Sequence, residues 1–115
     1  MRRLALAGIT VLAACAGDPG GDSGFCSDVP IVTYETFGKG FMTQNCQTCH
    51  ASTQTDREGA TDGVYFDTAD EVWAHKVTIL DRAASDEPDM PPLGGTTEDD
   101  RYLLKVWLTC GVEGQ

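Results

Sequence analysis

Near the middle of the sequence, two cysteines and a histidine form the motif Cys46-Gln47-Thr48-Cys49-His50. Two thiols at this spacing can add to the two vinyl groups of one porphyrin. The histidine that directly follows the second thiol is then held beneath the iron as its proximal ligand. The motif therefore predicts covalent haem attachment through Cys46 and Cys49, with His50 as an axial ligand of the iron.

Two other uses of a close pair of thiols fit the sequence less well. A thioredoxin-like dithiol belongs to a βαβ context, and the sequence around the motif shows no such alternation. A structural zinc site needs four ligands, which usually come as two pairs. The chain has no second close pair of cysteines, and its only other histidine is His75.

In this motif the chain resembles the class I mono-haem c-type cytochromes. In that family a glycine and an aromatic residue lie eight and four residues before the first haem cysteine. Here the first place holds Gly38 and the second holds Met42, while Phe41 lies one residue earlier. The resemblance covers roughly residues 34–111. It implies an all-α, cytochrome c-like fold of about three main helices, with long loops wrapped around one covalent haem c.

Three segments carry helical signals. Thr33 can cap a helix that begins at Tyr34, and Gly38 and Gly40 are small enough to let another helix approach closely. A capping box at residues 68–71 predicts a second helix that ends near residue 85. Its apolar residues at helical spacing predict one buried face, formed by Trp73, Val77, Leu80 and Ala84.

The third helix has a cap at both ends. Thr97 precedes three acidic residues, which favour a helix N-terminus, and Gly111 follows the last helical residue. Long polar segments separate the three helices, and loops of this length are unusual in so small a domain. A large group that fills the space between the loops, such as a haem, would explain them.

A second axial ligand is expected from the loop before the third helix. Met90 lies among three prolines in the segment 86–92, which holds the chain extended. Class I cytochromes present their distal methionine from a segment of this kind. The alternatives are Met42, which we expect in the core, and His75, which we expect on the solvated face of the second helix. The apolar residues expected around the haem are Phe37, Phe66, Trp73, Leu93, Leu104 and Trp107.

His/Met ligation leaves the iron without an open position, which favours electron transfer over catalysis. The sequence thus predicts a single-electron carrier rather than an enzyme, with redox proteins as partners and a monomeric state. A formal net charge of −10 argues against nucleic acid as a partner. The alternatives are a haem-based sensor or small haem enzyme with an open or His-ligated iron, and the electron-donating module of an oxidoreductase.

The N-terminal residues have the features of an export signal. Two arginines precede a short apolar run, which ends in Leu12-Ala13-Ala14-Cys15 and resembles a bacterial lipobox. The resemblance implies a signal peptide at residues 1–14, lipid attachment at Cys15 and a flexible tether at residues 15–25. The haem domain then spans residues 26–115. Ala16 favours the outer membrane, with the domain in the periplasm or at the cell surface; an ordinary signal peptide is the alternative.

Two of the five cysteines belong neither to the Cys46–His50 motif nor to the lipobox. Cys26 and Cys110 lie near the two ends of the domain, and export would place them where a disulfide can persist. We therefore expect a Cys26–Cys110 bridge, with two unpaired buried thiols as the alternative. Since a domain this short buries little core, we also expect the haem-free protein to be largely unfolded.

Overall fold

The computed structural model describes residues 24–115, and all regular structure in that part is helical. The predicted all-α class is therefore confirmed. A 3-10 turn, Phe25–Ser27, and a π-helical turn, Tyr34–Gly38, come first. The α-helices follow in the order α1 Lys39–Asn45, α2 Gln47–His50, α3 Ala69–Ala74, α4 Lys76–Ala83 and α5 Glu98–Cys110. The predicted signal peptide, Cys15 and the tether up to residue 23 lie outside the described residues.

The three predicted helix starts are confirmed, because each depends only on residues within one turn. The side chain of Thr33 accepts a hydrogen bond from the backbone N–H of Thr36 at the start of the π-helical turn. The Thr68 side chain accepts from the Glu71 N–H, while the Glu71 carboxylate accepts from the Thr68 N–H. Thr97 caps α5 in the same way. These bonds satisfy N–H groups that the first turn of a helix leaves free.

The N-terminal and C-terminal helical segments meet at a glycine. A Cβ atom on Gly38 would lie 2.6–2.8 Å from the ring carbons of Trp107 on α5, well inside van der Waals contact. Trp107 and its helix neighbours Leu104, Val106 and Leu108 are buried here, together with Phe41 and Met42 of α1. The close approach predicted for Gly38 is thus present, whereas the space around Gly40 is open within 4 Å.

The predicted second helix is interrupted at His75, and its buried face is not the predicted one. The Nδ1 atom of His75 donates to the carbonyl of Glu71, the acceptor that a continuous helix would give to the His75 backbone. The backbone N–H of His75 bonds instead to Val72. Val77 is 74% exposed, and the buried positions are Val72, Ile79 and Ala83, one residue earlier than predicted. Their spacings of seven and four residues are those of a single helical face, so the buried face continues across the interruption.

The two ends of the described chain are joined. A disulfide links Cys26 to Cys110, with Cα atoms 5.5 Å apart. The backbone N–H of Tyr34 also donates to the carbonyl of Gln115 at 2.9 Å.

Gly111 ends α5 with negative φ, and a Cβ there would overlap the carbonyl oxygen of Trp107, so this glycine is required for close approach. Within residues 24–115, no helix is long and apolar enough to cross a membrane.

Candidate functional site

A cleft of about 490 Å³ opens between the motif helices, the loop after them, α4 and the proline-rich segment. Its volume falls in the range of roughly 300–1,000 Å³ that ligand pockets occupy. The predicted site residues Cys46, Cys49, His50 and Met90 all line it. The rest of its wall includes Phe41, Asn45, Arg57, Val64, Phe66, His75, Thr78, Ile79, Arg82, Ala83, Pro91 and Pro92.

Both thiols of the motif are free. Cys46 is the irregular residue between α1 and α2, and Cys49 is the third residue of α2. Burial, and to a lesser degree the neighbouring Cys49, raise the pKa of Cys46 to about 12. Cys46 is therefore a neutral thiol at neutral pH.

His50 ends α2 with its imidazole ring fixed on two sides. The Nδ1 atom lies 3.1 Å from the carbonyl oxygen of Val64. A carbonyl can only accept, so Nδ1 carries the proton and the lone pair of Nε2 remains available to a metal. The ring also stacks on Phe66, with centroids 4.6 Å apart. This tautomer is the one that a metal ligand binding through Nε2 requires.

The backbone of Met90 is held at both of its polar groups. Its N–H donates to the carbonyl of Arg82 at 2.9 Å, and its own carbonyl accepts from the Arg101 guanidinium at 2.9 Å. Arg101 also donates to the carbonyl of Ala83 near the end of α4. Next to Met90, Asp89 forms a two-pronged ion pair with the Arg82 guanidinium, with distances of 3.1 and 2.8 Å. The methionine thus lies at the cleft in a segment tied to α4 and α5.

His75 lies at the cleft and not on the solvated face where the sequence placed it. Its ring meets Phe66 edge-on, with centroids 5.7 Å apart, and is partly buried. His75 lies three residues after Val72 and four before Ile79, so it shares the face of these two buried residues. The second histidine of the chain is therefore a further candidate ligand at this site.

Most of the apolar residues expected around the haem do not line the cleft. Of the six, only Phe66 does. Leu104 and Trp107 are fully buried in the core against α1, Leu93 is 99% exposed, and neither Phe37 nor Trp73 lines the cleft. The apolar wall consists instead of Phe41, Val64, Ile79, Ala83 and the two prolines after Met90. Leu104 and Trp107 belong to the buried core, the alternative use of apolar residues at helical spacing.

Sequence reasoning missed Arg57 and Arg101, the two cations that connect the site to the fold. Arg57 donates to the carbonyls of Cys49 and Val64, and Arg101 to those of Ala83 and Met90. All four acceptors are backbone carbonyls, which have no sequence signature.

No known protein family, curated protein or solved structure matches this chain. In the part of the chain that is described, no three His, Cys, Asp or Glu side chains gather as ligands for a bare metal ion. The donor set at the cleft is two thiols, an imidazole with a free Nε2 and a thioether. These are the groups that a covalently attached haem needs.

Proposed function

We propose that this protein carries single electrons outside the cytoplasm, using one covalently attached haem c in a cytochrome c-like fold. The observation that carries the proposal is that Cys46, Cys49, His50 and Met90 line one cleft, although Met90 is 40 residues from His50 in the sequence. Haem supplies an iron that exchanges one electron between its ferric and ferrous states. The chain's part is to bind it, fix its ligands and exclude water.

Each of these residues has one role in the proposal. Cys46 and Cys49 attach the porphyrin through thioethers, and His50 offers Nε2 because Val64 holds Nδ1. Met90 offers its thioether sulfur from the proline-rich segment, and its backbone is held by hydrogen bonds to Arg82 and Arg101. A thioether opposite an imidazole raises the reduction potential relative to two imidazoles. Phe41, Phe66 and Ile79 keep the surroundings apolar.

An absorption spectrum of the exported protein tests this proposal. The protein is produced in a host that attaches c-type haem, and it is measured oxidised and then reduced. We expect sharp c-type bands on reduction, and a weak methionine-to-iron charge-transfer band in the oxidised protein. Met90→Ala should abolish the charge-transfer band while the covalent haem remains, whereas Met42→Leu, a change in the core, should keep both. A colourless wild-type protein would refute the proposal.

His75 supports a second candidate, a haem-based sensor or small haem enzyme with a His-ligated or open iron. The observation in its favour is that His75 lines the same cleft as Met90. The spectra separate the two candidates, because a bis-histidine iron lacks the methionine band and an open iron binds added carbon monoxide without displacing a ligand. A methionine band that persists in His75→Ala would favour the electron carrier.

The charges beside Met90 favour a basic redox partner. Asp81, Asp86, Glu87 and Asp89 surround a shallow depression next to Arg82 and the Met90 segment. A surface of this sign attracts cationic partners and speeds their association at low ionic strength. We expect the rate of electron exchange with a basic protein to fall as salt is raised. The same surface would suit the electron-donating module of a larger oxidoreductase.

The proposal includes export and a lipid anchor at Cys15, which lies outside the described residues. The Cys26–Cys110 disulfide supports export, because such bonds persist in oxidising compartments. Cys15→Ser tests the anchor. We expect the wild type in the membrane fraction with a lipid-modified N-terminus, and the variant free of lipid. A wild type without lipid would favour an ordinary signal peptide.

A further inference from the structure

Arg57 is a charged side chain built into the wall of the cleft. Its side chain is 14% exposed, and its guanidinium packs over the ring of Tyr65 at 4.5 Å from the centroid. Its Nε atom donates to the carbonyl of Cys49 at 3.1 Å, and Nη2 donates to the carbonyl of Val64 at 2.8 Å. The Arg57 side chain therefore links the Cys46–His50 motif to the loop segment at Val64.

The carbonyl of Val64 receives two donors. One is Arg57, and the other is the Nδ1–H group of His50 at 3.1 Å. A carbonyl oxygen has two lone pairs and can accept both. A cation at that oxygen withdraws electron density from it, so the oxygen polarises the imidazole N–H less strongly. A less polarised imidazole has less imidazolate character and is a weaker donor through Nε2.

The charge of Arg57 is only partly balanced. Its nearest carboxylate, Asp62, lies 3.7 Å away and is 94% exposed. Solvent screens an exposed carboxylate more than it screens the mostly buried guanidinium. Glu58 also lines the cleft, but it is exposed and is screened in the same way. The guanidinium is thus a positive charge at the cleft wall that these carboxylates balance only in part. Such a charge favours the form of the site with one more electron.

We infer that Arg57 is a positioning residue for His50 that raises the reduction potential of the site, by sharing the Val64 carbonyl and by placing a buried positive charge at the cleft wall. The inference rests on the proposed function, since it concerns His50 as an iron ligand. Both effects act in the same direction, because a weaker imidazole donor and a nearby cation each disfavour ferric iron.

Three variants of the haem-loaded protein test the inference by equilibrium redox titration. Arg57→Gln removes the charge. Arg57→Lys keeps the charge but loses the paired hydrogen bonds from Nε and Nη2. Lys105→Gln removes one positive charge from the exposed surface of α5, away from the cleft. Mutating the groups that hydrogen-bond to a metal ligand typically costs about 10–100-fold in metal affinity or activity, which sets the scale of the effect expected here. We expect Arg57→Gln to lower the reduced-to-oxidised ratio at a fixed potential about tenfold, which is about 59 mV for one electron.

The other two variants separate charge from hydrogen bonding. Arg57→Lys should fall between Arg57→Gln and the wild type, and Lys105→Gln should stay within about twofold of the wild type, since exposed charges are screened. The proton resonance of His50 Nδ1–H in the reduced protein gives an independent readout. It should move downfield in Arg57→Gln, because the Val64 carbonyl then accepts more strongly from His50 alone.

An Arg57→Gln potential equal to that of Lys105→Gln, or an unmoved His50 resonance, would overturn the inference and leave the proposed function intact. A wild-type protein without haem would overturn both. If Arg57→Gln does not accumulate, Arg57→Lys tests the positioning of His50. A potential below that of the wild type together with a downfield-shifted resonance supports the inference, and values equal to those of the wild type overturn the role of the shared carbonyl.

Discussion

At the scale of single residues, the site depends on arginines that bond to backbone carbonyls. Arg101 reaches from α5 to the carbonyl of Met90 and to that of Ala83. These bonds fix the methionine segment against the end of α4, although Met90 itself is only partly buried. A methionine that must reach a metal from a loop depends on such restraints, because the loop otherwise samples many conformations.

We predict that Arg101→Gln weakens methionine ligation. Hydrogen bonds from a charged donor contribute about 1.5–3 kcal/mol, so the variant should lose Met90 from the iron at lower temperature than the wild type does. The measurement is the methionine-to-iron band followed on heating. Lys105→Gln on the same helix is the control and should leave the transition unchanged; equal transitions in both variants would contradict the prediction.

The Arg82–Asp89 ion pair gives the protein a pH-dependent contribution to stability. The hydrogen bonds from Arg82 hold the pKa of Asp89 below its usual value. A lowered pKa stabilises the folded state above the unfolded-state value of about 3.9, and this stability is lost as the pH falls through the lower folded-state value.

We therefore expect Asp89→Asn to melt at a lower temperature than the wild type at pH 7, and at the same temperature near pH 2. The effect should be small and should shrink in high salt, because both partners are exposed. Asp86→Asn makes the same change of charge outside the ion pair and is the control. A difference between Asp89→Asn and the wild type that persists in acid would show that the ion pair is not its source.

At the scale of helices, the contact between the segment before the motif and α5 depends on the missing side chain of Gly38. Alanine at this position would place its Cβ against the ring of Trp107, which is 1% exposed and has no free space to move into. We predict that Gly38→Ala destabilises the protein by about 1–3 kcal/mol through overpacking.

Gly40→Ala provides the matched control in the same helical run. Nothing lies within 4 Å of a Cβ at Gly40, so the better helix propensity of alanine should stabilise the protein by up to about 1 kcal/mol. Urea unfolding of both haem-loaded variants measures the two free energies. If Gly38→Ala stabilised the protein as Gly40→Ala should, propensity and not the contact with Trp107 would dominate at Gly38.

The sequence predicted these helices as far as local rules decide them. The caps at Thr33, Thr68 and Thr97 involve partners three residues away, and the attachment motif is contiguous. The interruption at His75 carries no glycine or proline to mark it. It arises from a side chain competing with its own backbone for the carbonyl of Glu71. The buried face was predicted one residue too late because two adjacent stripes, Val72–Ile79–Ala83 and Trp73–Leu80–Ala84, both have helical spacing.

The sequence predicted which residues could bind a haem, but it did not predict the hydrogen bonds that hold these residues in place. Cys46, Cys49, His50 and Met90 follow from a motif and a proline-rich segment, and the structure brings all four to one cleft. The shared carbonyl of Val64 depends on how the loop at residues 57–66 folds back over α2. Backbone carbonyls are identical in every residue, so no pattern of side chains identifies which of them will be acceptors.

At the scale of the whole molecule, the cleft has the helical core on one side and two long loops, residues 51–68 and 84–97, on the other. The fully buried side chains concentrate around α1, α3 and α5, whereas the loops on either side of the cleft lie largely exposed. A domain of this size buries too little apolar surface to offset its loss of conformational entropy easily. If the cleft holds a haem as we propose, the haem would supply contacts to both loops at once.

We predict that the wild-type protein made without haem attachment is largely unfolded. It should show weak far-UV helical circular dichroism and no cooperative transition in urea, because the two long loops lack anything to pack against. The haem-loaded protein, made from the same sequence with attachment machinery, is the control. A cooperative transition in the haem-free protein would mean that the core around Trp107 and the disulfide suffice.

The bond between Cys26 and Cys110 closes everything between them into a covalent ring. The exposed stretch at Leu93, Gly94 and Gly95 lies inside that ring, between the cleft and α5, and α5 contributes no residue to the cleft wall. A protease that cuts one peptide bond there opens the ring without releasing either piece. The nicked molecule remains one covalent species, and only a thiol reductant divides it into a piece that carries the attachment motif and a short helical piece.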